Sequence, residues 1–353
     1  MLFNNNIKIG NKKVNKKNCF IVAEISANHC GNIKTMKKLL LKIKKSGADA
    51  AKIQSYQADT ITIDSNRKDF LIDKDNAWSK YDNLYKLYKK AETPFSWLPK
   101  IFTYAKKIKL IVFASVFDKT SFEILERLKC PAYKIASPEI TDIPLIDLIS
   151  KTKKPIIISN GLANFNDLNL AIKTVFKNKN KNLVLLKCTS AYPAPENEIN
   201  LKTMNAMSKK FKCLTGYSDH TLGLGVAAHA ASIGACMLEK HVTLSNTDKS
   251  VDSFFSINTD ELSILVKIIR KNEIANGIVD YNISKSSKKN FKGRRSLYVI
   301  KDIKKGEVFT AENIKSIRPR FGLHPKYLKN ILNQKSKKKL KRGDRTTWRI
   351  VKK

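Results

Sequence analysis

Two histidines stand at matching places in the stretch Leu214–Thr243. One ends the run L-T-G-Y-S-D-H, the other follows C-M-L-E-K, and an Ala/Gly-rich segment, Leu222–Gly234, joins the two runs with helical character. Each imidazole lies where an apolar run gives out and a strand opens into a loop, so both are expected to face solvent at one level. On adjacent parallel strands, about 4.8 Å apart, His220 and His241 can share one ion, with Asp219 and Glu239 beside them. A single histidine is more often a structural residue, and the pairing is what argues for a metal. Lys52 and Lys134 interrupt other apolar runs, where a buried ammonium loses its hydration unless an anion meets it. A substrate phosphate or carboxylate would supply that anion, and so would Glu24, Glu139 or Glu239 from within the chain.

The elements that must carry these groups repeat along the chain. Apolar runs at Phe20–Ser26, Ala50–Tyr56, Leu110–Val116, Ala132–Ser137, Pro155–Gly161, Leu183–Ser190, Cys213–Asp219 and Cys236–Thr243 each precede a helical stretch. Strands that read as continuous apolar runs and alternate with helices predict a parallel sheet covered outside. Eight such units predict a TIM (β/α)8 barrel, with an open doubly wound sheet as the alternative. The polar residues in these runs gather at their carboxyl ends: Glu24 and Ser26, Lys52 and Gln54, Ser115, Lys134 and Ser137 with Glu139, Ser159 and Asn160, Thr189 and Ser190 with Tyr192, Ser218 to His220, and Glu239 to His241. Barrel active sites are built on that face. The long stretch between the second run and about Pro99 holds Trp78 and Trp97 and is expected to cover the site. His229, amid alanines, reads as a packing residue.

Composition narrows the class. The chain has 353 residues, 42% of them hydrophobic, and a formal net charge of +38. That length and apolar content predict one large domain, 1–277, a polar basic linker, 278–293, and a small module, 294–353, with short alternating runs. The excess charge is lysine spread along the chain, without a nucleic-acid recognition motif, so it reads as solvated surface and no specific nucleic acid is expected. Six cysteines form no C-x-x-C pair. With no secretory leader and no membrane-length apolar run, a cytoplasmic enzyme is expected.

Several strings in one order, Glu24-Ile25-Ser26-Ala27-Asn28-His29, K-C-T-S-A-Y-P-A-P (187–195), Y-S-D-H-T-L-G (217–223), L-E-K-H-V-T-L (238–244) and R-R-S-L (294–297), resemble the sialic acid synthase family. Within it, T-P-F-S-W-L-P (93–99) and G-L-H-P-K-Y-L (322–328) are most similar to the pseudaminate-forming branch. The resemblance implies a TIM barrel followed by an antifreeze-like (SAF) domain, swapped between the protomers of a homodimer. It implies condensation of phosphoenolpyruvate with an amino-sugar aldehyde, here 2,4-diacetamido-2,4,6-trideoxy-altrose, with Mn2+ or Mg2+. N-acetylneuraminate and legionaminate synthesis are alternatives with the same mechanism, and a metal-dependent barrel hydrolase is a more remote one.

Residue by residue, the resemblance implies that His220 and His241 hold the metal and that Glu139, with Glu24 as a second candidate, deprotonates water. Lys52, Ser115, Lys134, Ser137, Ser159, Ser190, Tyr192 and Ser218 match positions that grip phosphate and carboxylate. Gln54, Asp252 and Arg318 match sugar contacts, the last supplied by the partner. Ser250-Val251-Asp252, Arg320 and Ser159-Asn160-Gly161 depart from the family's usual residues.

Overall fold

The computed structural model describes residues 2–352. The chain divides after Gly277 into two compact units. In the first, eight strands run Phe20–Glu24, Ala50–Ser55, Ile111–Val116, Tyr133–Ile135, Ile156–Ser159, Leu183–Cys188, Leu214–Asp219 and Met237–Thr243. Each pairs in parallel with its sequence neighbours. The eighth pairs with both the seventh and the first, so the sheet closes into a barrel and the open alternative is excluded.

The strands are apolar on both sides because one side packs into the lumen and the other under the helices, so I-I-I-S and L-V-L-L-K-C are buried at every residue. The helices start where the sequence caps them. Asn32 accepts from the backbone of Lys34 and Thr35 ahead of Ile33–Ser46, and Asn258 forms a capping box with Glu261 ahead of Thr259–Asn276. One apolar core runs from Phe3 to Ile269.

Three expectations change. The polar start contains a hairpin, Asn6–Ile9 with Lys12–Asn15, whose Ile7, Ile9 and Val14 are buried in the barrel core. Its signal was present in the sequence: I-K-I and K-K-V flank Gly10-Asn11, a two-residue turn in which Gly10 has φ +59°. The helix expected over Leu222–Gly234 is shorter, Gly225–Ser232, because 221–224 form a loop above the seventh strand. His229 on that helix is exposed and is not a packing residue.

Gly216 shows how tightly the barrel closes. A Cβ there would stand 2.1 Å from the carbonyl oxygen of Met237 and 2.8 Å from Cδ2 of Leu186. The backbone oxygen cannot yield without opening the junction of strands seven and eight. Gly216→Ala is therefore expected to lower unfolding stability by at least ~1–3 kcal/mol. An unchanged denaturation midpoint would show that the strands can separate without cost.

The second unit pairs Ser296–Val299 with Ile314–Ile317 and Lys335–Ser336 with Val351–Lys352. Its core is small, with Leu297, Val299, Ile303, Phe309, Ile314, Ile331 and Leu340 among its buried residues.

Candidate active site

The carboxyl ends of the strands enclose a cavity of about 320 Å³. Strand register sets its chemistry, because alternate residues face the lumen. On strand two Lys52 and Gln54 face inward, paired in register with Phe113 and Ser115 of strand three. Lys134, Ser159 and Ser218 line the wall from strands four, five and seven, and Ser137 and Glu139 follow strand four.

Two lysines and two glutamates interlock below the mouth. Lys52 Nζ is 2.8 Å from Glu24 Oε2 and 3.6 Å from Glu239 Oε1, and it donates to Ser115 Oγ at 2.8 Å. Lys134 Nζ donates to Glu239 Oε1 at 3.2 Å, and Ser218 Oγ donates to the same oxygen at 3.1 Å. The internal carboxylates are thus the lysines' partners in this structure. They do not serve them equally. Burial pushes the Glu24 carboxyl up to about 7 against the opposing pull of Lys52. For Glu239 burial works the same way, but Lys134 and Lys52 together hold it down at about 2. Burial lowers Lys134 as well, and two lysines that line a cavity suit it to an anion, which would favour their charged forms.

Hydroxyls stand beside it without partners. Ser159 Oγ and Ser190 Oγ are buried and accept or donate nothing among the described residues. Gly161 N donates to Ser137 Oγ at 3.0 Å, and a Cβ on Gly161 would fall 2.8 Å from that oxygen and 2.2 Å from Ser190 Oγ. Glycine at 161 thus keeps open the space on which these hydroxyls converge.

The histidines are brought together as expected but are not solvent-facing, being 5% and 7% exposed. Their ring centroids are 5.3 Å apart. Loops beyond the strands cover them, with Tyr192 at 4.4 Å from the His220 ring and Phe255 at 4.7 Å from that of His241. His220 Nδ1 donates to the carbonyl oxygen of Thr189 at 2.9 Å and no hydrogen bond engages Nε2 among the described residues; burial lowers its basicity, but Cys188 and that carbonyl outweigh burial and raise it above the ordinary value. His241 Nδ1 is buried with no hydrogen-bond partner among the described residues. Burial, then His220, then Lys52 depress its basicity well below the ordinary value, so the ring is neutral. Asp219, on the opposite side of its strand, turns away from the pair and binds Lys240 at 2.7 Å and Thr221.

Glu139 is half-buried on the wall, with Oε2 unpartnered. Burial raises its carboxyl to about 7. Asp252 lines the cavity near His241, its Oδ2 3.9 Å from Nδ1 and accepting from Ser26 Oγ at 2.5 Å. The altered turn before it is held by Ser250 Oγ, which donates to Asn28 Oδ1 at 2.5 Å. Glu24, Ser115 and Ser190 lie behind the lining rather than on it. Arg318 belongs to the second unit, where it is exposed, and Arg320 stacks its guanidinium 4.0 Å over the Phe291 ring.

Three features were not anticipated from the sequence. Cys188 reaches the cavity with Sγ 3.8 Å from His220 Nδ1. Trp78 packs 5.1 Å from the Tyr192 ring and donates Nε1–H to the Val251 carbonyl at 2.9 Å. Phe255 joins the rings over both histidines. Only the tryptophan had a sequence signal, its place in the overlong connection after the second strand.

Comparison with known proteins agrees with this arrangement. The chain matches the NeuB family over residues 39–281 and the SAF domain over 294–348. It is 43% identical to a pseudaminic acid synthase of Campylobacter jejuni, with 96% of this chain and 98% of the relative covered. It is 42% identical to a pseudaminic acid synthase of Helicobacter pylori, over 91% and 94% of the two chains. The crystal structure of N-acetylneuraminic acid synthetase from Leptospira borgpetersenii superposes with a TM-score of 0.70 at 26% identity, covering 82% of this chain and 96% of that one. A family match over most of the barrel unit, a SAF domain after it and relatives 42–43% identical over nearly the whole chain lead to one conclusion: the chain belongs to the NeuB family.

Proposed function

We propose that the chain is a transferase that condenses phosphoenolpyruvate with 2,4-diacetamido-2,4,6-trideoxy-L-altrose and water, giving pseudaminic acid and phosphate by C–O cleavage. The observation that carries this reading is one cavity in which a lysine- and hydroxyl-lined end adjoins two imidazoles, each with an uncommitted ring nitrogen. Likeness to two pseudaminic acid synthases over nearly the whole chain supports the choice of sugar. The same chemistry on N-acetylmannosamine or the legionaminate precursor is the alternative. A barrel hydrolase is disfavoured because no three His, Cys, Asp or Glu groups converge among the described residues, where hydrolytic metal sites need more protein ligands.

A divalent cation fits the donors present. Nε2 of His220 is uncommitted and Nδ1 of His241 is a buried orphan, so two ring nitrogens are available to a cation that displaces any proton on them, and substrate or water would complete the shell. We assign Mn2+ or Mg2+ to His220 and His241. When bound, it supplies Lewis acidity toward the sugar's aldehyde oxygen. Lys52 and Lys134, with Ser137, Ser159, Ser190 and Ser218 around them, hold the phosphate and carboxylate of phosphoenolpyruvate, and Ser115 orients Lys52. The enol carbon attacks the aldehyde carbon, leaving positive charge at the carbon that bears phosphate. Water adds there, Glu139 takes its proton, and the C–O bond to phosphate breaks. Tyr192 closes the cavity over His220, and Gln54 and Asp252 contact the sugar.

Among the described residues no helix is long and apolar enough to cross a membrane. Among the described residues all six cysteines are unpaired, which suits a reducing compartment, and we place the enzyme in the cytoplasm. We also read the protein as a domain-swapped homodimer in which the partner's SAF domain brings Arg318 to the sugar. Arg318→Ala should then raise the sugar KM while leaving phosphoenolpyruvate binding nearly intact, and equal loss for both substrates would contradict that role.

The reading as a whole is tested by following phosphate release with a panel of sugars. Release should require phosphoenolpyruvate, the altrose derivative and metal together. Turnover of N-acetylmannosamine alone would overturn the pseudaminate assignment.

A further inference from the structure

The cavity changes character along its length. Lysines and serines form one part of its lining and the imidazoles another, and much of the remainder comes from the connection between the second strand and the helix Leu98–Lys107, with Phe117, Val251, Asp252 and Phe255 from other loops. That segment contributes Ile61, Ile72, Trp78, Leu84 and Leu87 to the lining, with Tyr56, Tyr88, Ala91 and Asn76, whose Oδ1 already accepts from Trp78 N. Most of them belong to an apolar cluster separate from the barrel core, anchored on buried Leu87, Ala91 and Val251. Trp78 joins this wall to the reacting end: its ring packs against Tyr192, which packs against His220, and its Nε1–H holds the loop before Asp252.

A sugar aldehyde whose first carbon lies by the imidazoles must extend its far carbons away from the lysine end, which phosphoenolpyruvate fills. Among the groups that line the rest of the cavity are the apolar Ile72 and Leu87. Neither side chain can hydrogen-bond, so a hydroxyl turned toward them loses its water without replacement, whereas a methyl group gains burial.

Resting on the function proposed above, we propose that the wall of Ile72, Leu87 and Trp78 is the specificity element that favours a sugar with a methyl group at its terminal carbon over its hydroxymethyl counterpart. An apolar wall discriminates only moderately against an added hydroxyl, so the expected preference in kcat/KM is on the order of 10- to 100-fold.

The test compares two substrates that differ only at that carbon, the 2,4-diacetamido-2,4,6-trideoxy sugar and the same sugar bearing a 6-hydroxyl, at saturating phosphoenolpyruvate and Mn2+. Ile72→Asn and Leu87→Asn each place an amide where the hydroxyl would lie. Both should reduce the preference toward parity by improving use of the hydroxylated sugar, with the phosphoenolpyruvate KM within about twofold of wild type. Leu87 is buried, and Ile72 is half-buried outside the barrel core, so the Ile72 variant carries the test should Leu87→Asn fold poorly. A wild-type enzyme that uses both sugars equally, or an Ile72 variant that folds and keeps the wild-type preference, overturns the proposal. Turnover of neither sugar, with N-acetylmannosamine consumed instead, would overturn the function itself and this proposal with it.

Discussion

Replacing His220 and His241 together with alanine will abolish binding of one Mn2+ per chain, read directly from the electron paramagnetic resonance signal of free Mn2+. Changing residues that merely orient metal ligands costs about 10- to 100-fold in affinity, so losing a ligand should cost at least that for either single variant. A second readout needs no turnover. A cation that binds only the folded chain stabilises it by ~2.7 kcal/mol at a hundred times its Kd, so the Mn2+-induced rise in Tm should vanish in both variants. The pairing of the rings makes this prediction specific, because their centroids lie 5.3 Å apart and each retains an uncommitted nitrogen. Wild-type Mn2+ affinity in the double variant would place the ion elsewhere.

Glu139→Gln will lower kcat by about 10²- to 10⁴-fold, the range for a lost general base. The pH profile makes this more than a loss of activity. A base must be ionised to accept a proton, and burial raises Glu139 to about 7, so the wild-type rate should fall about tenfold per pH unit below that point and level off above it. The glutamine variant should lose this acid limb. Glu24, also pushed up to about 7, is the competing candidate. It lies fully buried behind Lys52, whereas Glu139 lines the cavity with a free oxygen. If Glu24→Gln flattens the acid limb and Glu139→Gln preserves it, the role passes to Glu24.

The barrel was legible because its signal is local. A strand buried on both faces must be apolar throughout, as in Ile156–Ser159, so each polar exception such as Lys52 or Lys134 marks a place where chemistry outweighs burial. The hairpin Asn6–Asn15 escaped notice because its strands are four residues long and half lysine or asparagine, leaving only Gly10-Asn11 as a clue. The burial of the histidines was not legible at all. Their strand ends do open into loops, but Tyr192, from the connection after the sixth strand, and Phe255, from the one after the eighth, fold back over them.

By itself the sequence determined the eight barrel strands, their ends to within two residues, and which polar side chains stand near those ends, since period and capping act over a few residues. Tertiary structure alone decided that Glu239 answers Lys134 while Glu24 and Ser115 answer Lys52, that Ser137, Ser190 and Gly161 meet, and that a segment outside the barrel walls one part of the cavity with apolar groups. Those choices depend on separations of a few ångströms between residues far apart in the chain. Closing the sheet fixes these separations, and they set which carboxyl keeps its proton.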